Sequence, residues 1–171
     1  DALLEKSFSF DNFAWQRDNK VSIDVPFRAD GLHRILYKCP HCSVENQMEG
    51  NGIHLICHAC KKQWTMDQYG QLSANEGDTE YPHIPDWYKW ERECVWKELV
   101  ENTYLLDIDV DIYMLVNTKC VYRVGEGHLI HNTDGCTLTG CDGQIDYHLK
   151  PQQSYSIYSD FCHISERKDN A

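Results

Sequence analysis

Residues 37–64, YKCPHCSVENQMEGNGIHLICHACKKQW, decide how this chain is read. They hold two C-x2-C pairs, Cys39/Cys42 and Cys57/Cys60, with fourteen residues between them. Each pair predicts a knuckle, a tight turn whose two thiolates face one ion. Two knuckles brought together offer four sulfur ligands, the donor set that suits one closed, tetrahedral, structural Zn2+. Gly50-Asn51-Gly52 supplies a turn between them, and the following HLI a strand that returns the chain. Residues 61–72 give a third strand with Trp64 as its packing residue. This is the layout of a zinc ribbon over residues 35–72. His41 and His58 lie inside the knuckles and are expected to be bystanders, because cysteines already fill four positions. A redox role fits poorly, since a thioredoxin-type C-x2-C stands alone at a strand-to-helix junction. Zinc binding at such sites is worth roughly 10–16 kcal/mol, against ~5–15 kcal/mol for a whole domain, so the ribbon should order only when loaded.

Outward from the ribbon, residues 1–34 form an N-terminal arm. Its aromatic-rich first twenty residues show a weak helical pattern, and 21–34 read as extended or looped chain around Pro26 and Gly31. Residues 73–84 begin with the polar, acidic SANEGDTEY and read as a linker. Pro85 and Asp86 open a helix over 85–101, with Trp87, Trp90, Cys94, Val95 and Leu99 on one face. From Leu105 the period changes to two: Leu106, Ile108, Val110, Ile112 and Met114 alternate with Asp107, Asp109, Asp111 and Tyr113. That is a half-buried strand with one wet, acidic face. Shorter strands follow: CVYRV, HLIH after a turn at Gly125-Glu126-Gly127, CTLTG after NTDG, QIDYHL after Asp142-Gly143, and SYSIYS after Pro151. The fold expected is α+β: a small four-cysteine zinc ribbon, a helix, and an antiparallel β meander over 102–171, closing as a small barrel or sandwich.

The net charge is −11, and only the ribbon segment is not net acidic. Such a chain is repelled by nucleic-acid phosphates and anionic membrane surfaces. A nucleic-acid-binding zinc ribbon is therefore the alternative reading, resting on Arg34, Lys38, Lys61 and Lys62 alone. No apolar run approaches the ~20 residues of a membrane-spanning helix. Nine cysteines, an odd number, suit a reducing compartment, and the cytoplasm is expected. The chain opens on Asp1 without a methionine or a secretory signal, and is read as a piece of a longer protein.

Other constellations are weaker. His128, His131, Cys136, Cys141 and His148 match no compact ligand spacing, and strand histidines with buried thiols are the plainer reading. Asp107, Asp109 and Asp111 are first a solvated strand face. Cys162-His163 are sequence neighbours without an orienting partner, a poor nucleophile and base. No phosphate loop, dinucleotide fingerprint or G-x-S-x-G occurs.

Four phrases taken together carry a family resemblance: FRADGLHRILYKCPHC (27–42), LICHACKKQW (55–64), HIPDWYKWERECV (83–95) and GEGHLIHNTDGCTLTGCDG (125–143). Over about residues 27–159 the chain resembles the zinc-ribbon-bearing C-terminal region of bacterial 1-acyl-sn-glycerol-3-phosphate acyltransferase-like proteins, a lysophospholipid acyltransferase group. The resemblance implies a catalytic domain upstream that transfers an acyl chain to a lysophospholipid, at the inner face of the cell membrane. That domain's hallmark is a histidine with an aspartate five positions on. None of the nine histidines here has one. No acyltransferase catalytic residue carries over, and what the resemblance implies is a non-catalytic accessory module that regulates, localises or docks the upstream domain. The expected partners are that domain or another protein, with a lipid head group as a further candidate.

Overall fold

The computed structural model describes residues 8–116 and 120–151. The chain forms two compact units, Asp1–Lys97 and Glu98–Ala171. Among the described residues the architecture is α+β, with α-helices at Asn12–Asp18 and Ile84–Val100 and two four-stranded antiparallel sheets. The expected SYSIYS strand and the Cys162-His163 pair lie outside the described residues.

In the first unit, helix α1 (Asn12–Asp18) is capped by Asp11, whose Oδ1 accepts from the Ala14 N–H at 2.9 Å. A 3-10 turn at Leu32–Arg34 precedes the first knuckle. Strands β1 (Met48–Asn51), β2 (His54–Cys57), β3 (Gln63–Met66) and β4 (Leu72–Ala74) form a meander in the order β1-β2-β3-β4. The register pairs Met48 with Cys57, Leu55 with Trp64 and Met66 with Leu72, so these side chains share one face. Helix α2 (Ile84–Val100) lays Ile84 and Trp87 against that face. Trp64 and Trp87 meet edge-on with ring centroids 5.1 Å apart, both fully buried. The opposite face is polar, with His54 and Thr65 hydrogen-bonded to each other at 3.0 Å.

Two details differ from the expectation. The first hairpin turns at Gly52-Ile53, two residues later than Gly50, because Asn51 pairs with His54. Gly52 supplies the left-handed φ of +64° that this position demands. The polar run after the ribbon also contributes a fourth strand, β4, before Gly77 turns the chain at φ +72°.

The N-terminal arm belongs to this unit. Asp11 Oδ2 and His83 Nε2 are 2.6 Å apart, and Phe13 meets the His83 ring edge-on at 6.3 Å. The Gln16 amide donates to the Gln68 carbonyl, and Arg28 Nε donates to the Met66 carbonyl at 2.8 Å. Phe8, Phe10 and Trp15 remain exposed.

In the second unit, β5 (Leu105–Val116), β6 (Cys120–Asn132), β7 (Gly135–Gly140) and β8 (Ile145–Leu149) form a meander in the order β5-β6-β7-β8. Among the described residues this sheet is open and does not close into a barrel. The expected turn at Gly125-Glu126-Gly127 is instead the middle of one continuous strand. The two glycines make room there. A Cβ at Gly127 would sit 2.6 Å from Ile112 Cδ1 and 2.6 Å from the Thr139 carbonyl. Ile112 thus lies across a floor without side chains, and the register shifts by a bulge between Ile112 and Tyr113.

Candidate metal centre

The two knuckles are built alike. In the first, Ser43 N–H donates to the Cys39 carbonyl at 2.8 Å and Cys39 N–H donates to the Val44 carbonyl at 2.9 Å. In the second, Lys61 N–H donates to the Cys57 carbonyl at 2.8 Å and Cys57 N–H donates to the Lys62 carbonyl at 2.9 Å. Ser43 and Lys61, each one residue past its second cysteine, have left-handed φ of +61° and +65°. Equal spacing in the sequence therefore becomes equal geometry in space. β2 ends at Cys57 and packs beside the first knuckle, which closes the two loops on each other.

Cys39, Cys42, Cys57 and Cys60 bring their sulfur atoms within 4.8 Å of one another, and the set can hold a metal ion. Sγ of Cys39 and Cys60 are 3.7 Å apart, as are those of Cys42 and Cys57. A disulfide needs about 2.05 Å. A tetrahedron with metal–sulfur bonds of about 2.3 Å has edges of about 3.8 Å, which these two distances match. Cys39 and Cys57 are fully buried.

The electrostatics point the same way. Burial pushes the Cys39 thiol up. Burial also acts to raise Cys57, but N–H groups of Cys60 and Ala59 aimed at its sulfur bring it below its ordinary value. Burial, with the neighbouring Cys57 and Cys42, raises Cys60. Crowded sulfurs cannot all ionise unless a cation sits among them.

Neither knuckle histidine faces the sulfurs. His41 Nδ1 lies 3.3 Å from Glu80 Oε1, and His58 Nε2 lies 2.6 Å from Glu49 Oε2. The cations of the ribbon are largely engaged too. Lys38 Nζ pairs with Glu45 at 3.0 Å and Lys62 Nζ with Glu80 at 2.6 Å.

The other constellations do not converge. On the second sheet, His131 is paired with Cys136, while His128 is paired with Asp109 and His148 with Thr137. Strand alternation puts the first pair on one face and the others on the opposite face. Tyr104 Oη lies 3.3 Å from His131 Nδ1. Asp107 and Asp109 are taken by His128, at 2.8 and 2.9 Å, and Asp111 by Arg123 at 2.7 Å. The acidic stripe is thus partly paired from within its own sheet, by one histidine and one arginine against three aspartates. Among the described residues the four cysteines are the only group of His, Cys, Asp and Glu placed to share an ion.

Two helix residues that the sequence did not single out for the centre contact the backbone of Lys38, one residue before Cys39. Glu91 is 1% exposed and its Oε1 accepts from the Lys38 N–H at 2.8 Å. Trp87 Nε1 donates to the Lys38 carbonyl at 3.0 Å. Burial raises the Glu91 carboxyl to about 7, against the lowering effect of the Lys38 and Tyr37 N–H groups. The available signal was the helical spacing Ile84, Trp87, Glu91, which extends the buried stripe through a residue in a charge-rich run.

No family profile, curated protein or solved structure matches the chain.

Proposed function

We propose that this chain is a non-catalytic accessory module, with a ribbon folded around one structural Zn2+ and a β sheet that docks on a folded protein domain. Zinc is the reading because four thiolates in a closed tetrahedron suit it and leave no position for water or substrate. The observation that supports docking is the state of the second sheet. Among the described residues, every buried one belongs to the first unit. Leu106, Ile108, Val110, Ile112, Leu129 and Leu138 share one face of the β5–β7 strands by register. Ile108 alone is 41% exposed. A single sheet with one apolar face needs a covering layer.

A protein surface suits this face better than lipid or nucleic acid. The opposite face carries Asp107, Asp109 and Asp111, and the chain is strongly acidic, which opposes phosphate-bearing partners. On the resemblance, the domain to be covered is a glycerolipid acyltransferase, in a reducing, cytoplasmic setting. No helix among the described residues is long and apolar enough to cross a membrane.

The test mixes this chain with the acyltransferase domain expected in the same reading frame and follows association by sedimentation. A stable complex, lost in an Ile108→Asp/Leu138→Asp variant, supports the reading. Association with anionic vesicles or RNA instead, or a reading frame without that domain, overturns it.

A further inference from the structure

Among the described residues, no strand pairs with the leading edge of the first knuckle. Cys39 N–H donates to Val44 O and Asn46 N–H donates to Tyr37 O, so Lys38 bridges Glu45 at a position between those two bonds. In an antiparallel pair such a residue turns its own N–H and C=O away from its partner. Those two groups of Lys38 point instead at α2. There Glu91 Oε1 accepts from the N–H at 2.8 Å, and Trp87 Nε1–H donates to the carbonyl at 3.0 Å. Trp87 and Glu91 are four residues apart, hence one above the other on the same helix face. Two helix side chains thus do what a neighbouring strand would do, one residue before the first sulfur ligand.

We propose that Glu91 and Trp87 are positioning residues of the metal centre, fixing the backbone of Lys38 and so the approach of Cys39 to the ion. This rests on the zinc reading above. It makes α2 part of the centre rather than a separate element after it. A knuckle loop is short, so whatever fixes the backbone one residue before Cys39 also fixes how its sulfur meets the ion in the loaded state. Outer partners that orient ligands typically change metal affinity by about 10–100-fold when lost. The arrangement also explains why a carboxyl group is kept in a buried position. An apolar side chain of similar volume would avoid burying a charge, and such replacements are often neutral or stabilising where only packing is at stake. Here it would strand the Lys38 N–H in the core.

The experiment measures zinc affinity of the whole chain by competition with a chromophoric chelator, together with the visible spectrum of the cobalt(II)-substituted protein. Glu91→Met keeps the volume and removes the acceptor. Glu91→Gln keeps a carbonyl acceptor for the Lys38 N–H. Trp87→Phe removes the indole donor but keeps an aromatic ring, and Ile84→Val perturbs the same core without touching Lys38. The expected result is about a tenfold or greater loss of affinity for Glu91→Met, with altered cobalt bands. Glu91→Gln and Ile84→Val should stay within about threefold of the unmodified chain, and Trp87→Phe should fall between. Unmodified affinity and unmodified cobalt bands in Glu91→Met would overturn the clamp alone. A chain that binds no zinc at all would overturn the metal reading, and the clamp with it.

Discussion

Gly50 offers the sharpest test of how the first unit is packed. It lies in β1 opposite Leu55, and its N–H donates to His33 Nδ1 at 2.9 Å. Its φ is ordinary for a strand, so backbone freedom is not the reason for glycine here. A Cβ at Gly50 would overlap the carbonyl oxygen of Ala29 and lie 3.2 Å from the Leu32 nitrogen. Both are backbone atoms, and both are pinned: Ala29 N–H donates to Gly52 O at 2.9 Å and Leu32 N–H to Ala29 O at 3.1 Å. Ala29 is fully buried, so the segment cannot swing into solvent cheaply. Forcing it away carries an overpacking cost of about 1–3 kcal/mol. It also strains the Gly50–His33 and Ala29–Gly52 bonds, at about 1 kcal/mol each. Against this stands about 0.4–1 kcal/mol gained by restricting the unfolded chain. Gly50→Ala should therefore destabilise the unit by about 3 kcal/mol, a large part of a domain's ~5–15 kcal/mol. Gly52→Ala makes a useful comparison. Its φ is +64° but its Cβ meets nothing closer than the Pro26 carbonyl at 3.4 Å, so the cost is the left-handed penalty of about 1–2 kcal/mol. Both variants would be unfolded in urea at fixed free zinc, with tryptophan fluorescence reporting the buried Trp64 and Trp87. A Gly50→Ala cost under about 0.5 kcal/mol, or one smaller than that of Gly52→Ala, would refute the packing argument.

The Glu91 carboxyl, raised to about 7 by burial, binds a proton more tightly in the folded unit than in the unfolded chain, where it titrates near 4.5. Its protonated form therefore favours folding, and relative to Glu91→Gln the unmodified chain should lose about 3 kcal/mol of stability as pH rises from 4.5 through 7, read from paired urea titrations. In the second unit, Gly140→Ala would place a Cβ 2.6 Å from the Glu126 carbonyl and 2.7 Å from Gly127 Cα. It should weaken the β6–β7 pairing by about 1–3 kcal/mol, seen as faster amide exchange in those strands and unchanged exchange in the ribbon. His128 is held above its ordinary value by its hydrogen bond to Asp109 and by the charges of Asp107 and Asp109. Its imidazole resonances should titrate above 6.5, and the midpoint should move down in Asp109→Asn; a midpoint unchanged by that substitution would count against the described pairing.

Much of the fold and most of the site lay open in the sequence because they rest on short-range signals. The cysteine pairs specify their own knuckles, since each C-x2-C turn closes locally. The Asp107, Asp109, Asp111 alternation follows from strand geometry alone, and Pro85-Asp86 marks a helix start within one residue of Ile84. What stayed hidden depends on contacts distant in sequence. Glu91 sits in ERECVWKE, where interleaved charges suggest water, and only the position of Lys38, 53 residues away, shows why a carboxyl belongs in the core. Gly125 and Gly127 looked like turn residues because local reading cannot see Cys141 against the first and Ile112 against the second. Strand β4 has only three residues and no periodicity to detect. The helix face was legible at Trp87 and Trp90, which join or pack on the core, and faded by Leu99, which is 40% exposed.

The zinc proposed for the first unit is directly measurable. Elemental analysis and sulfur-sensitive X-ray absorption of the purified chain should find one zinc per chain, bound by four sulfurs at about 2.3 Å. Chelation should release it and abolish the near-ultraviolet signal of Trp64 and Trp87, because the ion holds the two knuckles that organise their core. A chain that contains no zinc and keeps that signal, or one whose zinc carries nitrogen or oxygen ligands, would contradict the centre built from Cys39, Cys42, Cys57 and Cys60.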